Sequence, residues 1–332
     1  MKTYRAVACA VTLITAIGVG TASGQDAKAA EILAQTRRAL GGAKLDALKT
    51  LALEVAAQRN AGQMQMASDV EILLEMPDKY LRSENMRGGM MNMAMGTGFN
   101  GEKAIIPAGT SMSGGGTMIV RMGGPGGPVS DGTKLTDEQK AQLNRASLRS
   151  ARTELSRLML GWFGMAHPSL HAQYSYAGEA ESPDGKAHVI DVKDADGFEA
   201  RLFIDQNNFL PLMVTYKGRQ PRMMTAGGPG ARTTQAGGAV THVQNNSQGK
   251  PLTEDERKKV DEDTEAQIKR QLAEQPMVEF SMFFDDWHEV DGINFPHVMR
   301  RGTGGETSEE WTISKVKVNP KIDAKKFAVD SK

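Results

Sequence analysis

The chain is short of cysteine, aromatic residues, net charge and long apolar runs, and each shortage excludes something. A single cysteine, Cys9, among 332 residues leaves no internal disulfide to form, and no thiol chemistry once an N-terminal leader is removed. With 40 basic and 40 acidic side chains and no extended basic tract, the chain lacks the positive surplus that phosphate backbones require, so no nucleic-acid partner is expected. Beyond the N-terminus no apolar run approaches the roughly 18 residues that identify a spanning helix. Aromatic content of 5% beside 20 methionines means that the core must be built largely from aliphatic and thioether side chains.

Catalytic signatures are missing as well. Gly109-Thr110-Ser111-Met112-Ser113 lacks the closing glycine of a nucleophile elbow. Gly123 to Gly127 is not followed by the Lys and Ser/Thr of a phosphate loop. His167 and His171 are spaced as zinc ligands on a helix would be, yet Pro168 lies between them and no glutamate follows His167. The chain therefore reads as a non-enzymatic protein with no cofactor.

What is present begins with a leader. Lys2 and Arg5 precede an apolar stretch from Ala6 to Gly20, and the small residues Thr21 to Gly24 follow, which is the pattern of a secretory signal peptide cleaved near Gly24. Residues 1–24 are read as that leader and residues 25–332 as one periplasmic domain.

In the mature chain, Asp26 to Leu40 carries Ile32, Leu33, Thr36 and Leu40 at helical spacing and stops at Gly41-Gly42. Strands follow at Leu51 to Ala57, Asp69 to Met76, Lys79 to Asn85 and Gly98 to Ile106, from the period-two alternation. A central amphipathic helix starts at Thr136-Asp137-Glu138-Gln139 and continues through Leu143, Leu148, Leu155, Leu158 and Met159 to about Gly161. Four strands then meander from Tyr174 to Tyr216, and three more close the chain, Met277 to Asp286, Ile293 to Arg301 and Glu309 to Val318. Residues 86–132 and 218–250, rich in Gly, Ser, Asn and Gln, read as two flexible insertions, and residues 251–275 as a charged, mainly solvated helix. About ten strands with few helices give an α+β class, a large curved antiparallel sheet in half-barrel form wrapped around the helices.

Several segments of this chain resemble the periplasmic outer-membrane lipoprotein carrier and sorting family, the LolA/LolB-like half-barrels. They are the opening helix ending Arg38-Ala39-Leu40-Gly41-Gly42, the strand into Met76-Pro77-Asp78-Lys79, Gly98-Phe99-Asn100-Gly101-Glu102, Leu202-Phe203-Ile204-Asp205 before Leu210-Pro211-Leu212, and Asp286 to Pro296 with its Val290-Asp291-Gly292 turn. The resemblance implies an exported half-barrel whose apolar cavity holds lipid or lipoprotein acyl chains, passed between membrane-bound donor or acceptor proteins. On the alternation, Val70, Ile72, Leu74, Leu212, Val214, Val278, Phe280 and Met282 face inward and are the candidate cavity lining.

Two other readings stay open. The same residues could pack as a filled core in an envelope protein-interaction or stress-sensor domain. Met90, Met91, Met93 and Met95 offer thioethers suited to copper(I), although no His or Cys lies between Gln25 and Leu158 to support a metal site. Asp285-Asp286-Trp287-His288-Glu289 gathers carboxylates and an imidazole at a strand end, but alternation sends its members to opposite faces, so a solvated turn is expected there.

Overall fold

The structure, a computed structural model, describes residues 22–61, 64–87, 94–106, 110–113, 117–122, 137–182, 185–219, 223–224, 231–236, 239–244, 270 and 276–328. The chain opens with α1 (Ala22–Leu40) and the single turn α2 (Ala43–Asp46). Five strands follow: β1 (Thr50–Ala61), β2 (Met64–Glu75), β3 (Lys79–Arg87), β4 (Ala94–Asn100) and β5 (Lys103–Ile105). After β6 (Thr110–Ser113) and β7 (Thr117–Met122) comes α3 (Asp137–Phe163), then the meander β8 (Gln173–Ser182), β9 (Gly185–Lys193), β10 (Glu199–Asp205) and β11 (Pro211–Arg219). Short strands β12 (Met223–Met224), β13 (Ala231–Ala236) and β14 (Ala239–Gln244) precede the long β15 (Met277–Val290), β16 (Ile293–Thr303) and β17 (Glu306–Val318).

Twelve strands make one open antiparallel sheet in the order β5-β4-β3-β2-β1-β17-β16-β15-β11-β10-β9-β8. The last strand pairs with the first, Leu53 opposite Val316, so the N-terminal hairpins and the later strands become one surface. With α1 and α3 against its inner face, this is an α+β half-barrel. The period-two pattern decides which side chains meet the helices: Leu51, Leu53 and Val55 of β1 and Val70, Ile72 and Leu74 of β2 are all buried in one core with Ile32 and Leu40 of α1 and Leu155, Leu158 and Trp162 of α3.

The end of α1 shows how local sequence sets the packing. Gly41 and Gly42 adopt φ of 137° and 51°, and the Gly42 amide donates to the Arg37 carbonyl at 2.8 Å. A Cβ on Gly41 would sit 2.7 Å from the Gly292 carbonyl oxygen, so the glycine both ends the helix and lets the β15–β16 turn approach it. At the far end of α3, Gly161 plays a tertiary role. A Cβ there would come within 1.9 Å of the Phe284 ring, which instead lies directly on the helix backbone.

Two smaller apolar clusters lie outside the main core. Phe327, close to the C-terminus, packs on Leu73 and Leu81, while Ala180, Ala187, Val189, Phe203 and Met213 form the other. Both clusters use strand positions out of phase with the main core.

The segments read from composition as flexible insertions contain strands. β6 and β7 of the first segment and β12, β13 and β14 of the second form a five-stranded sheet in the order β12-β13-β14-β7-β6, in which β14 and β7 run parallel. The β-branched runs Ile119-Val120 and Val240-Thr241 had this propensity, but glycines around them hid it. The expected charged helix at 251–275 lies outside the described residues apart from Arg270, and so does the leader up to residue 21. Among the described residues no helix is long and apolar enough to cross a membrane.

Helix α3 is tied to both flanks of the sheet. Asn144 accepts from the Ala104 amide at 2.8 Å and donates to the Glu102 carbonyl at 2.8 Å, which satisfies part of the edge strand β5. Arg149 pairs with Asp194 at 2.8 Å in the turn between β9 and β10.

Candidate functional site

The inner face of the sheet beneath α3 brings together most of the residues picked out from the sequence. Val70, Ile72, Leu74, Val214, Phe280 and Met282 are buried in the main core, and Val278 packs against it half-buried. Leu212 is placed apart, packed against Phe203 and Met213 in the outer cluster. The register explains why. β10 and β11 pair in step through Phe203 opposite Met213, and then slip so that Ile204 faces Pro211, and this irregularity removes the simple alternation that links Leu212 to Val214.

Helix α3 occupies the trough. Trp162 is fully buried, its ring 5.4 Å from that of Phe295, and its indole N–H points to the Met299 sulfur at 3.3 Å. Of the hollows among the described residues, one bounded by Leu158, Met282, Met299, Arg301, Glu309 and Trp311 encloses only about 10 Å³, room for one water at most. Among the described residues, the inner face beneath α3 is closely packed around this hollow.

Beside the apolar floor lies an ionic network that the sequence reading did not single out. Arg59 clasps Glu84 through both Nη atoms, at 2.6 and 3.0 Å, and reaches Glu309 at 2.9 Å. Arg82 bonds Glu154 of α3 at 2.5 Å and Glu84 at 3.3 Å, and its guanidinium lies 4.9 Å from the Trp311 ring. Arg301 approaches the other oxygen of Glu309 at 3.4 Å, while the Trp311 indole donates to Glu309 at 2.7 Å and the Ser68 hydroxyl to Glu84 at 2.7 Å. With Arg82 also 3.6 Å away, Glu309 is shared by three guanidinium groups. Burial alone would raise its pKa, but the Arg301, Arg82 and Arg59 charges hold it at about 2. Glu154 is held below the ordinary carboxylate value in spite of burial, chiefly by Arg82.

The register joins this network to the apolar lining. Arg59 pairs across to Glu309, Glu309 to Arg301, Arg301 to Met282, Met282 to Val214 and Val214 to Leu202. One lateral row of inward side chains thus changes from charged to apolar partway across the sheet. A sequence signal for it exists: Arg59, Arg82, Glu84 and Glu309 stand in phase with Val55, Tyr80 and Trp311, and a charge in core phase must find partners or move its pKa.

The remaining candidates take other roles. His167 is buried, with Nε2 2.7 Å from the Pro77 carbonyl and Nδ1 2.7 Å from the Ser169 hydroxyl, so it fastens the segment after α3 to the β2–β3 turn. Burial holds its pKa below the ordinary imidazole value. In the acidic segment, His288 and Asp286 share a face and lie 2.9 Å apart, Asp285 pairs outward with Arg300 at 2.5 Å, and Trp287 turns toward the core. These groups continue β15 up to its turn, and among the described residues no three or more His, Cys, Asp or Glu side chains gather as metal ligands do. Met90, Met91 and Met93 lie outside the described residues, and Met95 has a described backbone only, opposite Glu84 in β4.

The course of the chain is similar to that of solved structures. A LolA superfamily protein from Nitrosomonas europaea matches over 90% of this chain and 97% of its own, at 10% identity and a TM-score of 0.44. A domain from Vibrio parahaemolyticus assigned to outer membrane lipoprotein sorting matches over 91% of this chain and 97% of its own, at 10% identity and a TM-score of 0.41. No family model and no curated protein sequence matches the chain.

Proposed function

We propose that this is a non-enzymatic amphiphile-binding protein of the periplasm, which takes up the acyl chains of a lipid or lipoprotein on the inner face of the half-barrel when the end of α3 beyond Arg157 lifts away while Glu154 stays paired with Arg82. The observation that carries this reading is the lateral row that runs from Arg59, Glu309 and Arg301 to Met282, Val214 and Leu202. A surface of that kind offers a tail the burial of about 0.8 kcal/mol per methylene and offers a polar head charged partners at its edge. No covalent step is required. Exchange with a membrane-bound donor or acceptor needs only a surface that buries the tail equally well.

The filled trough makes movement of α3 the decisive step, and a lock on that helix tests it. Leu158 of α3 and Met282 of β15 line the same small hollow, and the sequence holds no cysteine besides Cys9 in the leader region. A Leu158→Cys/Met282→Cys pair bridged by a short, reducible bis-thiol crosslinker should block uptake of a fluorescent long-chain probe, with uptake restored by reductant. Native mass spectrometry of protein taken gently from the periplasm should show near-stoichiometric lipid. Uptake indifferent to the lock, together with lipid-free protein, would exclude this reading and favour the second one. That second reading, a protein-interaction domain with a permanently filled core, draws on the lack of open volume beneath α3.

A further inference from the structure

Among the described residues, the ionic network sets the guanidinium groups of Arg59, Arg82 and Arg301 against the carboxylates of Glu84, Glu154 and Glu309, three charges against three, and Arg157 beside it adds a fourth guanidinium. Each of these carboxylates is engaged with arginines other than Arg157. Glu84 is clasped by Arg59, Glu154 by Arg82, and Glu309 is divided among Arg59, Arg82 and Arg301. Arg157, half-buried one turn after Glu154 on α3, forms no ion pair with any described residue and instead lies over the Tyr216 ring at 3.8 Å. A stacked aromatic face satisfies part of a guanidinium and leaves its in-plane N–H donors unused.

Unused donors collect at this place. The buried Nε atoms of Arg157 and Arg301 and the fully buried Tyr80 hydroxyl find no hydrogen-bond partner among the described residues. Burial lowers the pKa of Arg157, and the nearby Arg301 charge adds to that. A half-buried surplus positive charge with an unpartnered buried Nε–H costs free energy that an arriving anion would recover. The planar fork of a guanidinium also suits an oxyanion with more than one acceptor oxygen.

On the reading of the protein as an amphiphile binder, we propose that Arg157 and Arg301, beside Tyr216, form the headgroup site for a phosphate-bearing amphiphile, whose tail lies on the Met282 and Val214 side of the same row. The acceptor oxygens of the headgroup take the spare guanidinium N–H donors. The specificity is for anionic over neutral amphiphiles.

Calorimetric titration of the full mature chain with dodecyl phosphate, dodecyl maltoside and inorganic phosphate tests this. Dodecyl phosphate should bind about tenfold tighter than the maltoside of equal tail, the worth of one charge-assisted contact pair. Arg157→Gln should remove that preference, and Arg157→Lys should restore part of it. Arg157 makes no ion pair among the described residues, so both variants should melt close to the parent, and a thermal scan checks that they fold. Equal affinity for the two amphiphiles in the parent protein would overturn the headgroup site and leave amphiphile binding standing. Binding of inorganic phosphate alone, lost in Arg157→Gln, would keep the anion site as one for free phosphate and remove the amphiphile reading. No heat with any of the three probes would overturn both.

Discussion

The two halves of the inner face are covered by the same helix and held by different forces. On one side Trp162, Phe284, Phe295 and Met299 are almost entirely sealed from water and interlock by shape, with Gly161 leaving room for the Phe284 ring. On the other, Arg59, Arg82, Glu84, Glu154, Arg301 and Glu309 are held by directional, charge-assisted bonds, several of them shared. Apolar packing costs nothing to separate into another apolar medium, such as a lipid tail. An ionic network costs a great deal to separate unless a new charge replaces the old one. The difference makes the apolar half the place where a tail can replace the helix, and the charged half the place where α3 is registered on the sheet.

That contrast can be broken or sharpened by substitution. The largest effect should come from the apolar half: Trp162→Ala removes a fully buried indole from between Phe295 and Met299, and should cost about 3–5 kcal/mol in urea denaturation. A loss under about 1 kcal/mol would mean that α3 is not anchored there. Next comes Glu309→Gln, which leaves three guanidinium groups short of a carboxylate and should cost about 3 kcal/mol near neutral pH. Its pH dependence has a definite sign. Because the folded carboxyl is held at about 2, the unfolded chain takes up the proton first, so this stabilisation is full above the ordinary glutamate value and fades as pH falls toward 2. Urea midpoints of the parent and Glu309→Gln should therefore converge in acid, and a gap independent of pH would show that Glu309 contributes through shape alone. The smallest effect should come from Arg300→Gln, next in sequence to Arg301 but pointing outward to Asp285 with both side chains exposed, where the loss should stay within about 1 kcal/mol.

Much of this architecture was legible because period-two alternation survives in long strands. Asp69 to Met76 and Met277 to Asp286 announce their inner faces directly, and the turns at Asp194 to Gly197 and Asp291-Gly292 announce their hairpins. Asp194 accepts from the Asp196 and Phe198 amides at 2.9 and 2.6 Å, the local bonding that such a turn sequence favours. Leu212 was placed on the wrong side of β11 by alternation alone, because a one-residue slip against β10 has no signature in residue type. The strands at 110–122 and 223–244 were hidden by the glycines around them, and the pairing that joins the two segments, β7 with β14, links residues more than a hundred positions apart in the chain. The charged half of the site went unread for a similar reason: an arginine in a strand looks solvated until its partners arrive from β2, β3, β16, β17 and α3.

By itself the sequence determined the α+β class, the inner-phase aliphatic residues, the glycine exit from α1 and the absence of any recognisable catalytic motif, because these depend on local periodicity and on residues a few positions apart. Only the tertiary structure decided that α3 packs into the trough, that Arg59, Glu309 and Arg301 adjoin Met282 and Val214 in one row, and that Arg157 meets no carboxylate among the described residues. Those outcomes depend on which strands become neighbours, and the pairing of the last strand with the first joins side chains about 250 positions apart.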